Sequence, residues 1–475
     1  MGWLGDGSLA NGDDAVYAWA VRDLLERGAW LDYRWYEAPL SQSYPPLHFV
    51  LLRAVASFLG PTELAFRLPA ALSSIVIVMV TGALACRTVV ARTDGSRTGA
   101  SDKDDAPGAG AHAGLFAGLL LVCGVTWYES TRSVRLDATF LAFAMGGYWA
   151  YARSWADERW LAAVGALVGL AYLSKSLMAG FVGTPIVLDL LLFDRSRLRS
   201  RSLYAGAAAF AVCAGGWHLW LKASHGFFWP ASYDRRVLTG IAGDYSVIAM
   251  VKTLVAAEGA ANFVWAVGVI ALATRARRSR VARLMLLAVL SGVAILLATA
   301  TAMPHYALPL FPPLAIGAGW AVGKLVARRP VFAPLAVAAA LGAFASGNPA
   351  LLMHPDLSPG ARETAEHVRK LAPNTPVLSY RAYNAAFDYY LQGRTTLVTD
   401  TEDSYRLYTS HGAMKNGPGV ELASPAALAV RLNSPGTACV TTLPFEPGLA
   451  RYYAAAAKPP TTRRAGGYVL YYSER

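Results

Sequence analysis

RLPAALSSIVIVMVTGALACRTVVA, residues 67–91, is an apolar run whose only charged side chains are Arg67 and Arg87. A run of this length and composition is typical of a helix that crosses a lipid bilayer. Further apolar runs lie at 111–126, 134–152, 160–173, 177–193, 203–221, 247–273, 282–300, 304–324 and 331–347. Several are shorter than the roughly 20 residues that a span needs, so the pattern does not fix their ends. The sequence predicts an α-helical polytopic membrane protein.

The composition favours the same class. Hydrophobic residues make up 55% of the chain and charged residues only 16%, and the mean hydropathy is +0.35. A net charge of +12 is compatible with nucleic-acid binding, but the arginines lie in short loops between apolar runs. That placement fits anionic lipid headgroups better, so we expect membrane lipids and no nucleic acid as partners. The four cysteines form neither a disulfide framework nor a zinc-binding spacing.

The distribution of Lys and Arg predicts the orientation of the helices. Every second loop is basic, with the cations at Arg87/Arg92/Arg97/Lys103, Arg153/Arg159, Arg195/Arg197/Arg199/Arg201, Arg275/Arg277/Arg278/Arg280 and Lys324/Arg328/Arg329. These loops are expected in the cytoplasm, which places the intervening loops and the C-terminal segment outside. Counting the apolar stretch 46–59 as a span would invert this order, so we interpret it as a juxtamembrane or re-entrant helix. Because the chain then opens on the outer side, we expect either a further helix upstream of Met1 or unaided translocation of the terminus.

The composition changes after Asn348. Helices are predicted at 358–371 and 383–391 and after Ser424-Pro425, with strand-like segments at 376–380, 395–399, 437–441 and 468–472. Tyr380, Tyr383, Tyr389 and Tyr390 are expected in the core of this part rather than on a carbohydrate-binding surface. We therefore predict an outer segment at 1–60 that carries juxtamembrane helices, a helical bundle at 61–347 and a small soluble α/β domain at 348–475.

An acidic pair, Asp13-Asp14, stands at the start of the first predicted helix. Adjacent residues cannot share one helix face, whereas Asp13 and Tyr17, at i and i+4, can. A carboxylate at the mouth of a helical bundle suits abstraction of a proton from a hydroxyl group. The alternative is that both acids only complement the dipole of the helix N-terminus.

Several motifs, taken in order, resemble the C-type membrane glycosyltransferases, in particular the branch of lipid A aminoarabinose transferases and protein O-mannosyltransferases. The resemblance covers about residues 12–325. It is carried by Asp13-Asp14-x-x-Tyr17, Tyr44-Pro45-Pro46-Leu47, Arg67-Leu68-Pro69, Arg132-x-x-Arg135-x-Asp137, Gly169-Leu170-Ala171-Tyr172-Leu173-Ser174-Lys175 and His305-Tyr306-x-Leu308-Pro309. It implies an inner-membrane enzyme with a periplasmic C-terminal domain that moves a sugar from a polyprenyl phosphate carrier to an acceptor.

The resemblance also implies roles for individual residues. Asp13 matches the first acid of the family's Asp-Glu pair, which serves as general base, and Asp14 replaces the Glu. Asp137 is expected to order the site, either by an ion pair with Arg135 or as a residue that only pairs at the membrane interface. Lys175 can meet a phosphate as a point charge or anchor at the headgroups.

Further candidates come from the outer loops. Arg235 and Arg236 form a doubled arginine beside aromatic residues, where guanidinium groups match phosphate oxygens or belong to an aromatic belt. Tyr306 is placed to bond the donor phosphate, whereas His305 stands where relatives carry a fixed cation. Tyr44 replaces a lysine that many relatives place before the Pro-Pro step. His48, just beyond, is interpreted as a capping or surface residue.

The leading hypothesis is an inverting glycosyltransferase with Asp13 as base, Tyr17, Tyr44 and His305 at the substrate cavity, and Lys175, Arg135, Arg235, Arg236 and Tyr306 around the departing phosphate. The acceptor is lipid A, another glycolipid, a polysaccharide or a protein. The alternatives are a flippase for lipid-linked sugars and an inactive relative that binds the carrier lipid. No cofactor is indicated with certainty, although two neighbouring carboxylates leave a role for Mg²⁺ or Mn²⁺ open.

Overall fold

The computed structural model describes residues 4–474 except 5–6, 11, 37, 43, 90–107, 227–246, 300–303, 348–358, 374, 382–383, 404, 407–419 and 455–457. Up to residue 347 the described chain is almost entirely helical. The elements are α1 Asp13–Glu26, β1 Arg34–Trp35, β2 Ala38–Pro39, α2 Leu47–Leu59, α3 Glu63–Thr88, α4 Ala109–Val122, α5 Val125–Thr131, α6 Leu136–Ser154, α7 Trp160–Lys175, α8 Gly180–Phe193, α9 Arg201–His225, α10 Val247–Glu258, α11 Ala261–Arg275, α12 Arg280–Thr299, a 3₁₀ turn Pro304–Leu310, α13 Phe311–Arg328 and α14 Ala333–Gly347.

Each predicted apolar run coincides with helical structure, so the predicted fold class is confirmed. Among the described residues, four stretches are long and apolar enough to cross a membrane: Glu63–Thr88, Trp160–Phe193, Arg280–Ala298 and His305–Arg328. The pair α4 and α5, bent by 74°, makes a fifth if it is one span. The run 247–273 is not continuous, because the chain breaks at Gly259 between α10 and α11, where φ is 53°.

Contacts between helix ends divide the bundle into two ends. At one end, which we call the arginine-rich end, Arg197 donates to the carbonyl of Ser154 at 2.9 Å, and Arg275 donates to that of Thr88 at 3.2 Å. At the other end, which we call the carboxylate end, Lys175 pairs with Asp137. Arg283 near the start of α12 pairs with Asp189 near the end of α8, and Gly323 near the end of α13 touches Ala113 near the start of α4. The described ends of all five basic loops therefore lie on one side of the bundle.

The long stretch 160–193 folds back on itself at Ser176. Lys175, at its middle, contacts the start of α6, while Asp189, near its end, accepts a hydrogen bond from Tyr151 near the end of α6. The reversal requires a positive φ of 49° at Ser176. Residues other than glycine adopt this left-handed conformation only at a cost in free energy. This turn places Lys175 at the carboxylate end.

Helix α2 lies across the carboxylate end rather than through the bundle. At its start, His48 contacts the first turn of α6, and at its end Gly60 leads within a few residues into α3. The hydroxyl of Thr62 caps α3 by accepting from the amide of Ala65 at 3.3 Å. Since both ends of α2 meet helix starts of the same end, its apolar length packs on the bundle without crossing it.

Small residues let the central helices approach closely. A Cβ atom at Gly319 in α13 would lie 2.5 Å from the backbone nitrogen of Ala117 in α4. A Cβ atom at Gly268 in α11 would lie 2.3 Å from the carbonyl oxygen of Leu314. Real Cβ contacts do not come this near, so glycine is required where the backbones of α4, α11 and α13 touch.

The C-terminal part is a small α/β domain, as predicted. Its elements are α15 Ala361–Leu371, β3 Val377–Tyr380, α16 Ala385–Tyr390, β4 Thr395–Thr399, β5 Val420–Leu422, α17 Pro425–Leu432, β6 Ala438–Thr442, α18 Glu446–Tyr453, β7 Thr461–Ala465 and β8 Tyr468–Tyr472. The strand order is β5-β4-β3-β6-β8-β7, with the first four parallel and the last two antiparallel. Helices α17 and α18 cover one face, whereas α15 and α16 cover the face that packs on α1 and α2.

Candidate active site

The first turn of α1 sends its two carboxylates in different directions. Gly12 caps the helix with φ 95° and offers no side-chain cap. Asp13 is exposed, whereas only 1% of the Asp14 side chain is accessible. Adjacent residues on a helix point about 100° apart, which explains the difference. Asp13 is therefore the carboxylate that a substrate can reach.

Asp14 is buried without a matching donor. Neither of its carboxylate oxygens meets a hydrogen-bond donor at good geometry among the described residues, although the amide of Val134 lies close by. Burial raises the pKa of Asp14 to about 6, against the opposing charge of Arg135. An acid placed in this way is neutral over part of the physiological pH range.

Asp13 reaches solvent yet has protein around it on most sides. The resulting desolvation raises the pKa of its carboxyl above the ordinary value, and the positive charges of Arg135 and Lys175 act against this shift. The carboxylate of Asp137 adds a smaller increase. A raised pKa in a general base brings it closer to the working pH and strengthens it as a proton acceptor.

Arg135 is the cation that faces the acidic pair. It precedes α6 in the N-cap position with extended backbone, and its charge acts on Asp13, Asp14 and Asp137 together. Its Nε is buried and has no hydrogen-bond partner among the described residues. The residue as a whole is half-buried.

Asp137 pairs with Lys175 rather than with Arg135, which corrects the predicted ion pair. The Lys175 Nζ lies 2.5 Å from the Asp137 Oδ1, and both side chains are almost fully buried. The turn at Ser176 brings the lysine to this position. The ion pair holds the end of α7 against the start of α6.

Tyr306 and His305 lie beside the Lys175 ammonium group. The Lys175 ammonium lies 4.7 Å from the centre of the Tyr306 ring, within cation–π distance. The rings of His305 and Tyr306 stack at 4.7 Å. Both residues belong to the 3₁₀ turn before α13, which the glycine contacts of α13 hold in place.

Tyr17 is buried rather than lining an open cavity, whereas the placement of Tyr44 at the substrate cavity stays a prediction. Tyr17 is only 1% exposed and packs edge-on against Tyr44 at 5.5 Å and Phe49 at 5.2 Å. Tyr44 is half-buried, and its carbonyl accepts a hydrogen bond from Tyr33. Aromatic packing between α1 and α2 buries the Tyr17 ring, so these residues support the acidic pair from below.

Sequence reasoning missed two buried polar residues around the site. His48 is fully buried, with its Nε2 donating to the carbonyl of Val134 at 2.9 Å and its Nδ1 3.0 Å from the Thr139 hydroxyl. The interpretation of His48 as a capping or surface residue is therefore wrong. Arg67 is also buried, and it donates to the carbonyl of Ser8 at 2.6 Å. An arginine inside an apolar run was the available signal.

The structure thus brings together Asp13, Asp14, Arg135, Asp137, Lys175, His305 and Tyr306, with Tyr17 and Tyr44 beneath them. Arg235 and Arg236 lie outside the described residues. Within the described ranges, no group of three or more His, Cys, Asp or Glu side chains is arranged to hold a metal ion.

Comparisons with known proteins bear on this arrangement. A family model described as dolichyl-phosphate-mannose-protein mannosyltransferase matches residues 109–220. The crystal structure of ArnT from Cupriavidus metallidurans bound to undecaprenyl phosphate superposes with a TM-score of 0.67 at 17% identity, covering 98% of this chain and 94% of that chain. The chain has the fold of ArnT. The apo form of ArnT gives a TM-score of 0.66 at 18% identity, with the same coverage of both chains.

The ArnT fold and the family-model match confirm the resemblance stated from the sequence. The ArnT comparison extends over the bundle and the α/β domain alike, because it covers almost all of both chains. A search of curated protein sequences returned no match.

Proposed function

We propose that this chain is a membrane glycosyltransferase that moves a sugar from a polyprenyl phosphate carrier to a hydroxyl-bearing acceptor outside the cytoplasm. The observation that carries the proposal is the accessible carboxylate of Asp13, set opposite Arg135 and beside the Asp137–Lys175 pair. A base close to a group of cations is what displacement of a lipid phosphate from a sugar requires.

In the proposed reaction the acceptor oxygen attacks the anomeric carbon and its proton passes to Asp13. The bond between the anomeric carbon and the phosphate oxygen breaks, and its electron pair leaves with the lipid phosphate. Arg135 and Lys175, whose charges act on Asp13, face the negative charge that develops there. The Tyr306 hydroxyl donates a hydrogen bond to the phosphate, and Arg235 and Arg236 supply further positive charge. Attack opposite the leaving group inverts the anomeric centre.

The neighbours support the choice of donor. The ArnT structure that this fold matches was determined bound to undecaprenyl phosphate, and the description of the matching family model names a dolichyl phosphate mannose donor. Both descriptions share a sugar-carrier lipid with a single phosphate. The acceptor follows from neither, and lipid A, another glycolipid, a polysaccharide and a protein hydroxyl all remain consistent with a hydroxyl nucleophile.

The proposal places the protein in the bacterial inner membrane, with the carboxylate end and the C-terminal domain on the periplasmic side. The basic loops gather at the opposite end of the bundle, where the positive-inside rule puts them in the cytoplasm. The proposed parts are residues 1–60 with the acidic pair, the bundle at 61–347 and the α/β domain at 348–475.

The test is substitution of Asp13 by Asn in purified protein supplied with a labelled polyprenyl phosphate sugar. We expect turnover to fall by at least about 100-fold, because the amide cannot accept the acceptor's proton. Binding of the donor should persist, since the cations are unchanged. Asp23→Asn is the matched control, because Asp23 lies on the same helix and pairs with Arg27 away from the site.

The outcomes separate the three hypotheses. Unchanged turnover in Asp13→Asn removes Asp13 as the base. Movement of the labelled lipid across a vesicle membrane without transfer of its sugar identifies a flippase. Donor binding by the unsubstituted protein with neither transfer nor movement identifies an inactive relative that binds the carrier.

A further inference from the structure

The C-terminal domain is attached directly to the helix that carries the acidic pair. Helix α16, Ala385–Tyr390, packs on α1, and both belong to one apolar core that also includes α2 and the start of α3. The two tyrosines at the end of α16, Tyr389 and Tyr390, are buried in this contact, at 4% and 8% exposure. The contact therefore connects a soluble domain to the site rather than to the outer rim of the bundle.

Tyr390 ties together two segments that flank the site. Its hydroxyl accepts from the amide of Leu9 at 2.9 Å and donates to the carboxylate of Glu63 at 2.9 Å. Leu9 lies four residues before Asp13, and Glu63 begins α3. One side chain of the C-terminal domain thus holds the approach to α1 against the start of a membrane helix.

A second attachment grips α1 further along. The guanidinium of Arg22 lies 3.7 Å from the centre of the Tyr389 ring and donates to the Tyr389 carbonyl at 3.1 Å. One turn earlier, Trp19 stacks on Tyr36 at 4.7 Å, and Tyr36 donates to Asp388. Contacts before and within the helix together fix its axis and its rotation.

The start of α1 depends on such anchors because it lacks one of its own. Gly12 provides no side-chain cap, and at φ 95° it is a position where the chain can pivot. Asp13 follows immediately, so a shift of the segment around Leu9 moves its carboxylate. An error of about 1 Å in the position of a catalytic group can cost about 100-fold in rate.

We propose that Tyr390 is a positioning residue, through which the C-terminal domain sets the location of Asp13 relative to the cations of the bundle. This inference rests on the proposed function for its catalytic consequence. The competing interpretation is that Tyr390 only stabilises the contact between the C-terminal domain and the bundle. The two interpretations differ in what happens to the first turn of α1 when the hydroxyl alone is removed.

The experiment compares Tyr390→Phe with Tyr471→Phe in the full-length protein. Tyr471 is the matched control, because its hydroxyl also donates to a carboxylate, that of Glu446, but on the opposite face of the same sheet. In Tyr390→Phe we expect kcat to fall by about tenfold and the KM for the donor to stay within about twofold. Amide hydrogen exchange at residues 9–17 should accelerate, and in Tyr471→Phe it should not.

The pH dependence of kcat/KM is a second measurement, and it should not change if Tyr390 has only a structural role. A loosened α1 exposes Asp13 to more water, which lowers a pKa raised by burial, so the acid limb of kcat/KM should move to lower pH in Tyr390→Phe. An unchanged exchange rate at residues 9–17 together with an unchanged pH profile would overturn the proposal. An equal loss of kcat in Tyr471→Phe would do the same.

Two safeguards keep the test decisive. If Tyr390→Phe does not fold, Arg22→Gln removes the second anchor at a partly exposed position, with the same expectations. If the unsubstituted protein transfers no sugar, the proposed function fails, and hydrogen exchange still decides whether Tyr390 holds the start of α1.

Discussion

The two ends of the bundle both bury charged side chains, but they treat them differently. At the arginine-rich end, Asp189 is fully buried and accepts from the Tyr151 hydroxyl at 2.9 Å and from the Arg283 Nε at 2.8 Å. At the carboxylate end, Asp14 is equally buried, and neither of its oxygens has a partner among the described residues. A buried carboxylate costs folding free energy unless it is bonded, so the second arrangement calls for a reason other than stability.

The difference teaches that burial of charge does not by itself mark a site in this protein. The Asp189–Arg283 pair joins α8 to α12, and its charges satisfy each other. The carboxylate end keeps an accessible acid, Asp13, beside the half-buried Arg135. Under the proposed function, the incompletely paired carboxylates are those that take part in the chemistry, whereas the Asp189–Arg283 pair joins helices.

The largest expected effect comes from breaking the ion pair at each end. Asp137→Asn leaves the buried Lys175 ammonium without its partner, and Asp189→Asn does the same to Arg283, so both should destabilise the protein by about 3–5 kcal/mol. Turnover per folded molecule should fall by at least about 100-fold in Asp137→Asn and stay within about threefold in Asp189→Asn. Thermal unfolding and turnover, normalised to the monodisperse fraction, measure both quantities.

Loss of turnover per folded molecule in Asp189→Asn would contradict the proposed difference between the two ends of the bundle. Full activity of folded Asp137→Asn would also contradict it, because the Asp137–Lys175 pair would then be a structural pair like the other.

A smaller effect is expected from Arg135. Its charge lowers the pKa of Asp13 against the effect of burial, so Arg135→Gln raises that pKa further. A base acts only when deprotonated, and the acid limb of kcat/KM should therefore move to higher pH, by about one unit. Arg275→Gln is the control, because Arg275 donates to the carbonyls of Thr88 and Val89 at the arginine-rich end. The pH dependence of initial rates measures the shift, and equal profiles for the two variants would contradict it.

A separate effect concerns stability rather than turnover, and it depends on Asp14 alone. Its pKa in the folded protein is about 6, above the ordinary 3.8, so the folded state holds this proton more tightly than the unfolded state does. Stability should fall as the pH rises from about 4 to about 6, by up to about 3 kcal/mol. Asp14→Asn should lack this decline and unfold at a higher temperature than the unsubstituted protein at pH 8, with the difference vanishing near pH 4. Parallel melting curves across this range would show that Asp14 is not buried as a neutral acid.

Much of the fold was readable from the sequence because hydrophobic length is a strong local signal. The apolar runs are helices. The Ser424-Pro425 pattern predicted the start of α17, and the Ser424 hydroxyl accepts a hydrogen bond from the amide of Ala427 at 3.3 Å. Strands β5, Val420–Leu422, and β7, Thr461–Ala465, were missed. Both lie at the edges of the sheet and expose most of their side chains, so they lack the apolar alternation that reveals a strand.

The membership of the site was also predictable in part, but its geometry was not. The order of motifs along the chain pointed to Asp13, Arg135, Asp137, Lys175 and Tyr306, which the structure gathers at one end. Which cation pairs with Asp137 depends on the reversal at Ser176, a left-handed residue that no local pattern reveals. The role of α16 against α1 arises from contacts between residues more than 350 positions apart, beyond the reach of any window on the sequence.

The glycine contacts of α13 have a mechanical consequence. Backbones that touch at Gly319 and Gly268 leave no layer of side chains to slide or reorient, so α4, α11 and α13 behave as a single rigid pillar. The His305-Tyr306 turn directly precedes α13, so it is held by the same rigid group of helices. Admission of a bulky sugar lipid must then leave the His305-Tyr306 turn where it is.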